Sequence, residues 1–586
     1  MRIAAAVALL VLLGPVALAQ GRFVRVDASS PRAPHDPPVG APQLSAALAV
    51  CSETAFAWEG QVLPGGGTLS PNAFANSATA SSGRIAFIAE VAGSTRNQGV
   101  FWADAGGVHE IARGSGGGGG SGVPGPAVGD PSPIGGRFTG FFQGTFFAPA
   151  LDASGDVLFI ADVNGGSATR GLFLYRAATQ TIVKVAAPGD ASPAGGTLAA
   201  VGPGTINDAG TVAFLAYGLP SADAQILRWQ GGVLTKIAED GDPAPGGDFY
   251  AQLCQMSFGF VDGTTIPVGA VPDINSAGKV VFSALTSVDW GFVLQTPAGA
   301  AQWYVRQGEA TPIGGVYLDF WSAILNDADQ IAIMCDVDYG GGSYGGGWMV
   351  GKPGAWRKAL AFDESIEGAP VRVLGVSSSP QQPLADNGDL VAWCDAAREC
   401  IVLNHADGTT EVLAGAGDAT SLGGSIGIFD SWPSMDAAGE VTMSCTTPGV
   451  TNGASSAHFV LDLCCPSASA SFRNAGSNPA SYTCNAPVLG GTLDGTVDLT
   501  TTGHSFAKLI VRSTPIDVTL AGGQHLLCGG PSFYATPLEP GPLADFSIPV
   551  PNDPDLCGIS VYTQALHIGG VTPFRLSNAQ DLVIGN

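Results

Sequence analysis

Short runs of alternating apolar and small or polar residues, each ending in a turn, fill most of this chain. Residues 211–216 (TVAFLA), 224–229 (AQILRW) and 233–238 (VLTKIA) each alternate as a half-buried strand does. Gln230-Gly231-Gly232 joins the last two as a hairpin turn. After the loop Gly241-Asp242-Pro243-Ala244-Pro245-Gly246-Gly247, Asp248-Phe249-Tyr250 is expected to begin a fourth strand. No stretch carries a 3.6-residue apolar stripe with charged flanks, so long amphipathic helices are not expected.

This unit repeats. Asn207-Asp208-Ala209-Gly210-Thr211-Val212-Ala213-Phe214 has siblings starting at Ala80, Asp152, Asn275, Asn326, Ala385 and Asp436. Their fourth positions are Gly83, Gly155, Gly278, Asp329, Gly388 and Gly439, and Phe282 answers Phe214 in the fourth copy. The Gly-Asp loop also has seven copies, near Gly60, Gly129, Gly189, Gly241, Gly308, Asp363 and Gly417. A long period built on strands predicts a ring of four-stranded blades, so the expected fold is all-β, a seven-bladed β-propeller over residues 43–465. The motif residues Asn207, Gly210, Phe214, Asn275, Gly278, Phe282, Asp436 and Gly439 read as structural. Asn or Asp closes a turn through its side chain, Gly supplies positive φ, and Val and Phe pack between blades.

The seventh repeat offers strands at 440–446 and 457–463 and then stops, whereas the first loop has a single strand before it, 54–58. The N-terminal strand should therefore complete the last blade and leave no open edge. That pairing would place Cys51 near Cys464 or Cys465, where a disulfide would staple the ring. From about Pro466 the repeats end. Residues 466–586 read as a separate C-terminal β-sandwich, with alternating runs at 507–511, 546–550 and 559–562.

Composition sharpens this picture. Gly (84) and Pro (41) fall between the apolar runs, as turns. Charged residues are 12% of the chain, against roughly 25% in an ordinary soluble domain, which fits strands buried on both faces. Basic residues number 24 and acidic 49, a net charge of −25. Such a chain repels phosphate backbones, so nucleic acid is not an expected partner. Residues 1–19 read as a signal peptide cut after Ala19, and 20–42 as a Pro-rich tether. No later run has about 18 consecutive apolar residues, so no transmembrane segment is expected and the mature chain should be secreted or cell-surface associated.

The repeats reach a known pattern in Asn207-x-x-Gly210-x-x-x-Phe214 and Asn275-x-x-Gly278-x-x-x-Phe282. With the Gly241-Asp242 loop, they resemble the N-x-x-G-x-x-x-F tandem-repeat proteins that some bacteria export. The resemblance covers roughly residues 50–463. It implies a propeller, often joined to a C-terminal sorting or anchoring segment, and no established activity. Ser471-Phe472-Arg473-Asn474, Ile548-Pro549-Val550-Pro551-Asn552-Asp553 and the ending 578–585 are similar to C-terminal modules shared by unrelated exported bacterial proteins. Ala80, Ala385, Asp329 and the degenerate loop at Asp363 depart from the pattern.

Candidate chemistry is sparse. Gly-x-Ser-x-Gly occurs around Ser343 and Ser425, outside the strand-to-helix setting that a nucleophile elbow needs. Gly114 to Gly122 lacks the Lys-Ser/Thr of a phosphate loop. His35, His109, His405, His458, His504, His525 and His567 form no zinc spacing. Asp327, Asp329, Asp336 and Asp338 flank one strand and are the calcium candidates, set against a reading as solvated turn residues. Otherwise no cofactor is expected.

Eleven cysteines in an exported chain suggest disulfides. Cys394 is a candidate to bridge Cys400 across its hairpin, and Cys484, Cys528 and Cys557 offer one further bridge. Cys335, Cys394 and Cys445 share a slot that holds Ala89, Ala161, Ala216 and Ala284 in other repeats, so they also read as small packing residues.

The expected function is that of an exported, non-catalytic scaffold, a monomer that binds a protein or a glycan. Two further readings stay open: a glycan hydrolase or lyase with carboxylates on one propeller face, and a purely structural surface component.

Overall fold

The computed structural model describes residues 50–585 apart from 71–76, 81–82, 116–127, 143–147, 222, 255–257, 262–263, 268–270, 363, 376–381, 437–438, 451–452, 464–467, 475, 477, 521, 552–555 and 557–558. The signal-peptide and tether segments, His35, Asp363, Cys464, Cys465, Cys557, the side chain of Cys51 and most of the 114–122 glycine tract lie outside the described residues. The described residues are all-β and contain no α-helix.

Seven antiparallel sheets of four or five strands follow one another along the chain. In the third, Thr197–Ile206, Val212–Leu219, Ala224–Gln230 and Val233–Glu239 lie side by side in chain order. The expected first, second and third runs are therefore strands, whereas 248–250 is not the fourth strand of this sheet. The fourth strand of this sheet precedes the motif, as Thr197–Ile206. Phe249 makes only an isolated bridge to Pro243, and the next strand, Gln252–Leu253, pairs with Val280–Leu285 of the following sheet. The Gly-Asp loop thus connects sheets rather than strands of one sheet.

The last of the seven sheets takes its fourth strand from the start of the chain. Val50–Trp58 lies beside Ser456–Leu463, followed by Val441–Thr446 and Ser434–Met435. Glu59 N–H donates to the Ser456 carbonyl at 3.0 Å, and the Glu59 carboxylate accepts from the Ser455 N–H at 2.7 Å. The expected pairing of the two ends is present. Ser77–Ala80 of the first sheet touches both Ala150–Leu151 of the second and Ser434–Met435 of the seventh.

Apolar cores lie between consecutive sheets. Leu158, Leu172 and Leu174 of the second meet Leu198, Phe214, Leu227 and Trp229 of the third. Phe56, Ala57 and Val460 of the seventh meet Ile85, Phe87 and Phe101 of the first. The first five sheets are therefore covered on both faces, which is why their strands read as near-continuous apolar runs carrying few charges.

Contacts divide the chain into two compact units. Among the described residues, the first holds those of Thr54–Asp436 and Thr442–Val460, and the second those of Leu461–Asn586 with residues 50–53 and 439–441. In the second, a six-stranded and a three-stranded sheet share one core built from Tyr482, Leu493, Val497, Leu509, Phe546 and Leu582. The runs expected at 507–511, 546–550 and 559–562 fall within or against Phe506–Thr519, Leu543–Pro549 and Ser560–Ile568.

Candidate functional site

The repeated motif turns form the densest polar arrangement of the first unit. Asn207 Oδ1 accepts the N–H groups of Ala209 (3.2 Å) and Thr211 (3.0 Å), closing the expected side-chain turn. Gly210 then turns the chain at φ +67° and donates its N–H to the Asn207 carbonyl. Positive φ holds at the fourth position of all seven copies, including Asp329 at +61°.

The carboxamides also do something that the sequence did not announce. Asn207 Nδ2 donates to the carbonyl of Asn275, Asn275 Nδ2 to that of Asn326, and Asn326 Nδ2 to that of Ala385, at 2.8, 3.3 and 2.8 Å. Repeats three, four and five each hold the next in this way. A second track runs through the following residue. The carboxylates of Asp208, Asp327 and Asp386 accept the N–H groups of Ala153, Ser276 and Asp327, at 2.9, 2.7 and 2.8 Å. The recurrence of Asp directly after the motif's first residue was the available signal.

This arrangement corrects the calcium expectation. Asp327 serves the second track, while Asp329 holds Lys279 and accepts from Asn275 Nδ2. Asp336 lies in the middle of the strand Ile331–Gly340 and Asp338 near its far end, where Asp338 caps its own turn by accepting the Gly340 N–H at 2.7 Å. The four carboxylates are split between the turn before the strand and the strand itself. Among the described residues, no three His, Cys, Asp or Glu side chains are grouped to hold a metal ion.

A buried carboxyl and several half-buried ones lie on or beside the inner strands of the sheets. Asp273 is 0% exposed and accepts from the Leu325 N–H (2.8 Å), the Ile274 N–H (3.0 Å) and Gln382 Nε2 (3.1 Å). Burial pushes it up to about 7 against those bonds. Asp319 and Asp336 stand directly opposite each other on paired strands, and burial raises both. Burial, with the nearby Glu399 charge, brings Asp430 to about 6. A cavity of about 170 Å³ is lined by Gln252, Ser283, Ala284, Leu285 and Trp290.

Among the described histidines, His504 and His567 stand with ring centroids 6.0 Å apart, and no group of three metal-ligating side chains includes them. His405 sits between Asp389 and Glu411, 3.2 Å from each. Burial alone would lower it, but the two carboxylates prevail and raise it to about 10. His458 is lowered to about 3 by burial. His567 is lowered to about 4, mainly by burial, and bonds Ser481 and Thr502. Neither Ser425 nor Ser343 stands on a strand-to-helix turn. Ser425 sits in an isolated bridge to Ala419, and Ser343 opens a strand.

The cysteine expectations are corrected where they can be seen. Cys394 and Cys400 do face each other, but their sulfurs are 3.3 Å apart and remain thiols, against the ~2.05 Å of a bond. Cys484 and Cys528 are free as well. Cys335, Cys394 and Cys445 are fully buried, the environment of a small packing residue.

A family model of unknown function, DUF7453, matches residues 47–346, just over half of the chain. The chain belongs to that family. The DUF7453 match begins just before the strand Val50–Trp58 and ends within the fifth sheet. No curated protein matches the chain. Among solved structures, a protein of unknown function from Dyadobacter fermentans is 11% identical, with a TM-score of 0.27, covering 55% of this chain and 96% of that one. A Mycobacterium tuberculosis puromycin-hydrolyzing peptidase is 11% identical, with a TM-score of 0.26, covering 67% and 61%. The tricorn protease is 12% identical, with a TM-score of 0.14, covering 85% and 55%. No helix among the described residues of this DUF7453 member is long and apolar enough to cross a membrane.

Proposed function

We propose that the chain is an exported, non-catalytic binding or scaffold protein for a protein or glycan partner. In this reading residues 43–465 form a seven-bladed β-propeller closed by the N-terminal strand, and residues 466–586 form a β-sandwich for sorting or surface association. The observation that carries it is the use made of the repeated polar side chains. Asn207, Asn275 and Asn326 spend both ends of their carboxamides on their own turn and on the next repeat. Polar residues spent on linking successive repeats support a scaffold reading. Binding of the full-length chain to a glycan array and to an array of exported proteins tests the reading. Saturable binding supports it, and turnover of any arrayed glycan sinks it.

One observation favours the hydrolase alternative. Asp319 and Asp336 are two facing carboxyls with raised affinity for protons, the kind of pair that acid–base cleavage of a glycosidic bond uses. Polysaccharide cleavage abolished by both Asp319→Asn and Asp336→Asn would establish it in place of the scaffold.

A further inference from the structure

The repeats contain their own control experiment. In repeats three, four and five the motif begins with Asn. Oδ1 closes the local turn, and Nδ2 donates to the first carbonyl of the next motif. Repeat two begins instead with Asp152. Its Oδ1 takes over the turn bonds, accepting from the Ser154 N–H (3.0 Å), the Asp156 N–H (2.9 Å) and Ser154 Oγ (2.8 Å). The turns of repeats two and three are neighbours through the same second-track bond, Ala153 N–H to Asp208. Asp152 Oδ2 therefore stands where the others carry an amide nitrogen. Asp152 is 3% exposed, and Oδ2 is buried without a hydrogen-bond partner.

A buried polar oxygen without a partner needs a reason. The atom that corresponds to the acceptor in the other repeats is the Asn207 carbonyl, which already accepts the Gly210 N–H. An ionised carboxylate facing a carbonyl sets two acceptors against each other. A carboxylic acid can donate there, as the carboxamides do. We propose that Asp152 carries a proton in the folded chain and donates it to the Asn207 carbonyl, which makes the link between repeats two and three sensitive to pH.

The surroundings agree. Burial pushes the Asp152 carboxyl up to about 6, and the charges of Asp156 and Asp208 push the same way, against the bonds from Ser154 and the Asp156 N–H. Asp156 is engaged by Arg176 at 2.6 Å and by the Ala177 N–H. Arg84 reaches in from the first sheet, but its Nη1 contact is the Ser154 carbonyl, at 3.5 Å. The link is then complete below the pH where an unfolded Asp titrates, about 4, and is lost as pH rises through about 6.

Thermal unfolding of the full-length chain between pH 5 and pH 8 tests this with two opposite substitutions. Asp152→Asn supplies a permanent donor. It should raise the melting temperature above that of the parent by about 2 °C or more at pH 8, with the gap narrowing towards pH 5. Asn207→Asp installs the same group one repeat on. It should melt below the parent at pH 8 and recover at pH 5. An Asp152→Asn chain that fails to fold, or that matches or falls below the parent at pH 8, overturns the proposal. So does an Asn207→Asp deficit that does not change with pH. The outcome is independent of whether any glycan or protein binds.

Discussion

Phe56 tests whether the N-terminal strand is a structural member of the seventh sheet or an appendage to it. Its side chain is 6% exposed and packs with Leu69, Ile85 and Phe87 of the first sheet and Val460 of the seventh. Replacing it with Ala removes about 150 Å² of buried apolar surface, worth ~4 kcal/mol at ~25 cal/mol per Å². That lies within the ~3–5 kcal/mol found for Phe→Ala in well-packed cores. Phe214, 0% exposed between the second and third sheets, is the internal reference, and Thr54, exposed on the same strand as Phe56, is the control. Urea unfolding followed by tryptophan fluorescence should show Phe56→Ala and Phe214→Ala losing similar stability, with Thr54→Ala close to the parent. A Phe56→Ala loss below about 1 kcal/mol would mean that the strand frays as chain ends commonly do. The proposed closure of a ring would then fail with it.

Three further outcomes follow from the same geometry. His405, raised to about 10 by Asp389 and Glu411, adds stability that is complete below about pH 6.5 and is lost as pH rises through 10. Urea midpoints should therefore fall from pH 7 to pH 10 in the parent and stay flatter in His405→Gln. Gly210→Val forces a branched side chain to φ +67° and should cost at least about 1–2 kcal/mol by chemical unfolding, more than the same change at an extended surface position. Cys335→Ala should cost less than about 2 kcal/mol by the same measurement, because the slot accepts Ala in four other repeats; a larger loss would show that the thiol does more than fill space.

What the sequence disclosed is what depends on neighbours in the chain. The turn at Asn207 and Gly210 needs only a side-chain acceptor and a residue tolerant of positive φ. Even Asp329, the departure from the pattern, adopts the left-handed conformation at +61°, since Asp can satisfy its own backbone there. Strand partners are another matter. Residues 248–250 and the strand Thr197–Ile206 are both apolar runs beside a turn, and alternation says that a strand exists without saying which sheet holds it. Inter-sheet packing makes that choice. The calcium expectation failed for a measurable reason. Asp336 lies five residues into the strand that begins at Ile331, and an extended chain advances ~3.3 Å per residue, so it stands about 16 Å along the strand from the turn that holds Asp329. Closeness in sequence puts side chains together only where the chain turns. It is the turns, stacked repeat on repeat, that bring Asn207 to Asn275 across 68 positions of chain. The polar chemistry of the first unit is therefore concentrated where local turn geometry and long-range register meet, and Asp152 is the position at which the two demands conflict.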